Sequence, residues 1–127
     1  MKRLVVTADD FGLSPEVNAA VLEGRRKGVL TAASLMVGAP AAAEAVALAK
    51  ADPGLKVGLH LVLCHGVPTL PPEDIPALVG PDGRLREDLP ALGAAIFFSP
   101  AARRQAEAEA RAQFEAFAAT GLPFDHV

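Results

Sequence analysis

The sequence contains neither tryptophan nor tyrosine, and it has a single cysteine, Cys64. One cysteine cannot form an internal disulfide, so nothing in the sequence points to an oxidising compartment, and we expect a cytoplasmic protein. Without Trp or Tyr, the usual platforms for stacking on single-stranded nucleic acid are missing. The formal net charge is −3, with acids and bases mixed along the chain. We therefore expect no nucleic-acid partner.

Long uninterrupted apolar stretches are also missing. The basic start MKRLVV leads into an apolar run that is too short for a signal peptide. No segment is long enough to cross a bilayer, so the sequence predicts no membrane span. Hydrophobic residues make up 51% of the 127-residue chain, which is typical of a folded globular protein. We predict a single domain over residues 1–127.

The hydrophobic pattern alternates between strand-like and helix-like segments. The predicted strands are RLVVTA (3–8), LTAASLMVG (30–38) and KVGLHLVLC (56–64). Between them lie two predicted helices, LSPEVNAAVLEGRRKG and APAAAEAVALAKADPG. In the first of these, Ser14 can cap the helix and Pro15 suits its first position. This order of elements is typical of an α/β fold with a parallel βαβαβ sheet.

The second half of the sequence is less regular. The proline-rich segment HGVPTLPPEDIPALVGPDGRL predicts a long loop, and such loops are usually functional or mobile. SPAARRQAEAEARAQFEAFAATG (99–121) predicts a long helix whose acidic residues, like Glu16, Glu23 and Glu44, fit a solvated face. The final LPFDHV predicts the start of a fourth strand.

Two adjacent carboxylates, Asp9 and Asp10, follow the first predicted strand. Near a low-dielectric core they repel each other and lose hydration, and a divalent cation would offset both costs. Alternatively, the pair only ends the strand and caps the next helix. Successive strand residues face opposite ways, so the two carboxylates need different tasks unless the strand bends there. The simplest assignment is that one carboxylate binds a metal ion and the other accepts a proton from water.

Histidine and cysteine residues cluster at the third predicted strand. His60 lies inside it, where a histidine is often a satisfied core residue, but ligands gather at the carboxyl ends of parallel strands. With two carboxylates at the same sheet end, an Asp and His set suits zinc, manganese or magnesium. Cys64 and His65 could form a nucleophile and base, but adjacent side chains diverge and no residue is evident to orient the imidazole. We expect Cys64 to serve in packing.

A phosphoacceptor receiver domain is a competing interpretation of similar size. Receiver domains also place an acidic pair after their first strand to hold magnesium. They need a phosphorylatable aspartate after the third strand, and GLHLVLCHG contains none. Receiver domains also need a lysine after a fifth strand, and this sequence offers none. The residues that would carry out receiver-domain chemistry are therefore missing.

Three segments together resemble the YdjC-like family of carbohydrate deacetylases, with most similarity to the hopanoid-biosynthesis (HpnK) branch. They are TADDFGLSPEVNAAVLEGRRKGVLTAASLMVGAP, VGLHLVLCHGVPTLPP and EARAQFEAFAATGLPFDHV. The resemblance implies a distorted (β/α) barrel of the polysaccharide-deacetylase-like type. It also implies a divalent metal, magnesium or zinc, and hydrolysis of the acetamide of an N-acetylated amino sugar or glycoconjugate. By motif, Asp10 and His60 correspond to metal ligands, and Asp9 corresponds to the base that activates water.

The sequence departs from the family pattern at its end. In the family, the strand containing DHV continues into an H-x-H-x-H stretch that supplies a further metal ligand, whereas this sequence ends at Val127. His126 corresponds to a histidine upstream of that stretch, so the ligand role is not carried over to it. We therefore expect roughly the N-terminal half of a barrel, with an incomplete set of protein ligands.

Half of a barrel would expose strand edges and apolar faces, so we expect a homo-oligomer that pairs through these edges or through the Phe97–Phe98 region. The alternative to an enzyme is a catalytically inactive remnant that acts as an oligomeric or binding module.

Overall fold

Three parallel strands form one sheet in the order β1–β2–β3. They are β1 (Thr7–Phe11), β2 (Ala32–Leu35) and β3 (Lys56–Leu59). Helix α1 (Pro15–Lys27) connects β1 to β2, and α2 (Ala42–Ala51) connects β2 to β3. The predicted parallel βαβαβ arrangement and the α/β class are therefore confirmed. In this computed structural model, residue 2 and residues 4–127 are described, so Arg3, where the first strand was predicted to begin, lies outside them.

The strands are shorter than predicted. Leu4 and Val5, expected in a buried strand, lie before β1 with 77% and 70% of their surface exposed. Strand pairing with β2 begins at Thr7, opposite Ala32, although the carbonyl of Val6 already accepts hydrogen bonds from the N–H groups of Thr31 and Ala32. At the other end of the sheet, β3 stops at Leu59. His60 therefore follows the strand instead of lying inside it.

Helix α1 begins and ends as the sequence predicts. The side chain of Ser14 accepts a hydrogen bond from the N–H of Val17 at 3.3 Å, and Pro15 occupies the first turn. Gly28 follows the last residue as the C-cap. The Ser14 hydroxyl, followed by the backbone N–H of Glu16, lowers the pKa of the exposed Glu16 carboxyl. This helix end is therefore specified almost entirely by local chemistry.

We expect Ser14→Ala to lower the free energy of unfolding by about 1 kcal/mol, because it removes the N-cap, and to raise the pKa of Glu16. Since that pKa is depressed on folding, the contribution of Glu16 is present above its unfolded-state pKa and is lost as pH falls through the folded-state value. The difference in free energy of unfolding between the parent protein and Ser14→Ala should therefore become smaller in acid. Urea denaturation at several pH values measures it, with Ser14→Thr as the control that keeps a capping hydroxyl. A difference that widens in acid would contradict this assignment.

The contacts divide the chain into two compact units, one made of the residues up to His60 with Phe117–Val127 and the other of Leu61–Ala116. The single-domain expectation stays a prediction. The core of the first unit packs the sheet against its helices and against Phe117. Its fully or nearly fully buried members are Phe11, Val21, Ala33, Leu35, Ala45, Ala49, Leu55, Val57, Leu59 and Phe117.

The final segment of the chain lies beside β3 but is not a strand. The N–H of Asp125 donates to the carbonyl of Val57 at 3.2 Å, and the N–H of Leu59 donates to the carbonyl of His126 at 2.9 Å. The prediction of a fourth strand over LPFDHV is therefore wrong within the described residues. These bonds nevertheless fix the backbone of residues 125 and 126 against the sheet.

The second unit shows that the proline-rich segment is packed. It contains a short 3-10 helix (Pro72–Asp74) and an isolated antiparallel bridge between Val79 and Leu85. A helix that the sequence analysis missed, α3 (Leu89–Phe98), follows, and α4 (Pro100–Ala119) begins two residues after its end. The hydrophobic cluster of this unit contains the buried residues Ile75, Leu78, Leu85, Leu92 and Ala106. No helix in residue 2 and residues 4–127 is long and apolar enough to cross a membrane.

One acidic residue of α4 contradicts the predicted solvated face. Glu109 is fully buried, and its carboxylate accepts hydrogen bonds from the N–H groups of Thr69 at 2.8 Å and Leu70 at 2.9 Å. Gln113 also donates to it at 2.7 Å and exchanges two further bonds with the backbone of Val62. The helix therefore holds the preceding loop by its backbone, which an apolar face could not do.

Candidate functional site

The backbone of β1 bends at the two adjacent carboxylates. Ala8 pairs with Ala33 and Phe11 pairs with Leu35, so two residues of β1, Asp9 and Asp10, lie opposite a single residue of β2. This is a β-bulge, a feature that occurs often beside active sites. Asp10 has φ of 60°, in the left-handed region that residues other than glycine rarely adopt. In a regular strand, the side chains of Asp9 and Asp10 would point to opposite faces of the sheet. Because the strand bends here, this strict alternation does not apply to them.

Asp10 and His60 come together across the sheet. His60 is fixed at the end of β3 by its N–H, which donates to the carbonyl of Leu35 at 2.9 Å. The N–H of Asp10 donates to Nδ1 of His60 at 3.3 Å, and the Oδ1 atom of Asp10 lies 3.7 Å from the same nitrogen. The two side chains are 50% and 29% exposed, respectively, so both are reachable from solvent. The structure therefore brings together the two residues that the resemblance implies as metal ligands.

The chemistry of this pair suits part of a divalent metal site. A carboxylate oxygen and an imidazole nitrogen are both ordinary ligands of zinc. Nδ1 of His60 accepts the N–H of Asp10 in the structure, so a cation bound through this nitrogen would replace that hydrogen bond. In the part of the chain that the structure describes, no group of three or more His, Cys, Asp or Glu residues could hold a metal. Asp10 and His60 thus fit as two ligands of a site that needs more.

Asp9 takes part in a different set of contacts. The hydroxyl of Ser34 donates to the Oδ1 atom of Asp9 at 3.4 Å and lies 3.3 Å from Nε2 of His126. The other ring nitrogen of His126, Nδ1, lies 3.0 Å from the carboxylate of Asp125. The structure therefore gives the adjacent carboxylates different partners: Asp10 lies against His60, and Asp9 lies against Ser34.

Sequence reasoning missed Ser34, and it considered His126 but assigned it no role. A signal for Ser34 existed, since it is the one hydroxyl in the apolar run ASLMVG of the second strand. His126 depends on Gly58, because a Cβ atom there would lie 2.6 Å from ring carbons of His126. A glycine inside a predicted strand often marks such a close approach.

The turn after the carboxylates is held by Asn18, which was also missed. Asn18 is fully buried, and its Oδ1 atom accepts the N–H of Gly12 at 2.8 Å. Its amide group donates to the carbonyl of Ala41 at 3.1 Å and to Glu44 at 2.8 Å. Gly12 itself has φ of 99°, which a side chain would disfavour. These contacts fix the exit of the chain from β1.

Cys64 and His65 belong to the second unit. Cys64 is partly buried and packs against the hydrophobic cluster of that unit, in agreement with a packing role. His65 is exposed, has φ of 53°, and donates its backbone N–H to the carbonyl of Arg86 at 3.4 Å.

Known proteins resemble this chain over almost all of its length. Its α/β fold matches the crystal structure of an Enterococcus faecalis V583 protein, to which cellobiose-phosphate cleavage has been ascribed, with a TM-score of 0.82 and 30% identity over 96% of this chain and 46% of that one. A carbohydrate deacetylase from Brevibacillus brevis is 42% identical over 98% of this chain and 47% of its own length. One from Geobacillus stearothermophilus is 42% identical over 97% of this chain and 46% of its own length.

The chain thus spans about half the length of these curated relatives. A family model described as YdjC-like protein matches residues 3–127, almost the entire sequence. The chain belongs to the YdjC-like protein family.

Proposed function

We propose that the protein carrying this sequence removes the acetyl group from an N-acetylated amino sugar or glycoconjugate, with a divalent magnesium or zinc ion. The observation that carries the proposal is the approach of Asp10 to His60, 3.7 Å from Oδ1 to Nδ1, next to a separately bound Asp9. The names of the relatives, carbohydrate deacetylases, support the reaction class.

In this proposal, Asp10 and His60 hold the cation. When bound, a divalent cation acts as a Lewis acid on the amide carbonyl and lowers the pKa of coordinated water. Both side chains are partly exposed and reachable, and the backbone of each is fixed by the sheet. The fold therefore sets the backbone positions of both residues before any ligand arrives.

Asp9 acts as the general base. Its carboxylate accepts one hydrogen bond, from Ser34, so further lone pairs remain free for the proton of an attacking water. In the hydrolysis, the water oxygen bonds to the acetyl carbon and the C–N bond breaks. The amine leaves with a proton and acetate is released. No covalent nucleophile is required, consistent with the packing role of Cys64.

A second candidate, an inactive oligomeric or binding module, is favoured by one observation. Phe97 and Phe98, at the end of α3, are 69% and 78% exposed and contact each other edge to face at 4.9 Å. Exposed aromatic pairs of this kind are common at association surfaces. An oligomer formed through this pair is compatible with either function.

The assay is acetate release from an N-acetylglucosamine oligosaccharide by the full-length protein, after chelation and then with added magnesium or zinc. We expect each hydrolysis to release one acetate and one free amine, and to occur only with added metal. Asp9→Asn should lower turnover about 10²–10⁴-fold. His65→Ala serves as the matched control because His65 is exposed in the second unit. Acetate release that is absent with both metals, or unaffected by Asp9→Asn, would contradict the proposal.

A further inference from the structure

The contacts of Asp9 continue through two more side chains to a second carboxylate. In order, they join Asp9 to the Ser34 hydroxyl at 3.4 Å, Ser34 to Nε2 of His126 at 3.3 Å, and Nδ1 of His126 to Asp125 at 3.0 Å. All of these residues belong to the first compact unit. The inference drawn from them rests on the proposed role of Asp9 as general base.

The direction of the first contact sets the direction of the second. The Ser34 hydroxyl has one proton, and it donates that proton to the Oδ1 atom of Asp9. The hydroxyl oxygen can then act only as an acceptor toward Nε2 of His126, which lies 3.3 Å away. An N–H at Nε2 therefore donates to Ser34, while Nδ1 lies 3.0 Å from the Asp125 carboxylate.

We propose that Ser34 and His126 are positioning residues for Asp9: His126, oriented by Asp125, directs the Ser34 hydroxyl onto the Asp9 carboxylate and so fixes the general base toward its water. Side chains that lock the orientation of a reacting group commonly matter for turnover more than for substrate binding.

The surroundings of Ser34 and His126 support a built arrangement. Ser34 is 8% exposed and lies in β2, the central strand, so its backbone has strand neighbours on both sides. The His126 backbone is bound to Leu59, and its ring lies in the space that Gly58 leaves open. A buried hydroxyl in a central strand needs a hydrogen-bond partner, and here both partners are ionisable.

The test compares acetate release by full-length variants. Ser34→Ala and His126→Ala are expected to lower kcat about 10- to 100-fold with KM within about two-fold of the parent value, because they loosen the base without touching the substrate. His126→Gln should recover most of this loss, within about five-fold of the parent, since its amide nitrogen takes the place of Nε2. His126→Asn, whose amide is too short, should not recover it, and His65→Ala should be neutral.

A measurement independent of activity keeps the proposal falsifiable if Ser34→Ala is poorly folded. In spectra of the imidazole ¹⁵N nuclei, Asp9→Asn and Ser34→Ala should each shift the Nε2 resonance of His126 while leaving the resonances of His65 unchanged. If the chemical shift of His126 Nε2 is the same in the parent protein and in both variants, the proposal is wrong. A second result would also overturn this proposal: Asp9→Asn loses turnover, but Ser34→Ala and His126→Ala keep the kcat of the parent protein. The proposed function would stand in that case. Full turnover in Asp9→Asn would instead refute the proposed function.

Discussion

Asp10→Asn and His60→Ala are each expected to weaken zinc binding at least about ten-fold, whereas Asp9→Asn should leave zinc affinity within about two-fold and abolish most turnover. The reason is the geometry: the Oδ1 atom of Asp10 lies 3.7 Å from Nδ1 of His60, whereas the carboxylate of Asp9 accepts a hydrogen bond from the hydroxyl of Ser34. An amide at position 10 keeps the shape of the carboxylate but removes its charge. Calorimetric titration with zinc measures the affinity.

The adjacent pair provides its own matched control, since both variants make the same chemical change one residue apart. Equal loss of zinc in Asp9→Asn and Asp10→Asn would show that the division of roles is wrong. If neither variant changes zinc affinity or turnover, the pair has only a structural role at the end of β1.

The second large effect concerns stability. Glu109→Ala is expected to lower the free energy of unfolding by about 3–5 kcal/mol, because it removes a buried carboxylate that three donors share and leaves those donors unpaired. The donors are the N–H groups of Thr69 and Leu70 and the amide of Gln113. Glu109→Gln should cost less, about 1.5–3 kcal/mol, since one oxygen remains as an acceptor.

Chemical denaturation measures both values, and Glu107→Gln on the exposed side of α4 is the control, with an expected change within about 0.5 kcal/mol. A Glu109→Ala protein that unfolds at the parent denaturant concentration would show that this carboxylate does not hold the loop.

Local chemistry made parts of the structure predictable. Ser14, Pro15 and Gly28 define α1 because capping groups act on their immediate neighbours. The approach of Asp10 to His60 was also predictable, since the carboxyl ends of parallel strands meet at one edge of a sheet. The roles proposed for these residues came from the family resemblance, because no local pattern in the sequence contains them.

Other parts depended on contacts between distant segments. Glu109 lies four residues from Gln113 on α4, and nothing in the helical pattern shows that both meet the backbone of a preceding loop. Helix α3 was missed although Asp88 caps it and Pro90 lies in its first turn. Apart from Gly93, a weak helix former, LPALGAAIFF is apolar almost throughout, so it lacks the alternation of apolar and polar faces that indicates a helix. The left-handed backbone at Asp10 arises from the bulge against β2, which single-strand patterns do not encode.

The central claim, that Asp10 and His60 share one cation beside Asp9, is tested most directly by adding Mn²⁺ to the ¹⁵N-labelled 127-residue chain and recording which amide signals broaden. Two protein ligands hold a cation weakly, so Mn²⁺ should exchange rapidly between protein molecules. A small amount of Mn²⁺ should therefore broaden the signals of the whole sample. We predict that the signals of residues 9, 10 and 60 broaden first, that Ser34 follows, and that His60→Ala abolishes the effect. Broadening centred on other acidic residues, or broadening at residues 9 and 10 that persists in His60→Ala, would contradict the shared site.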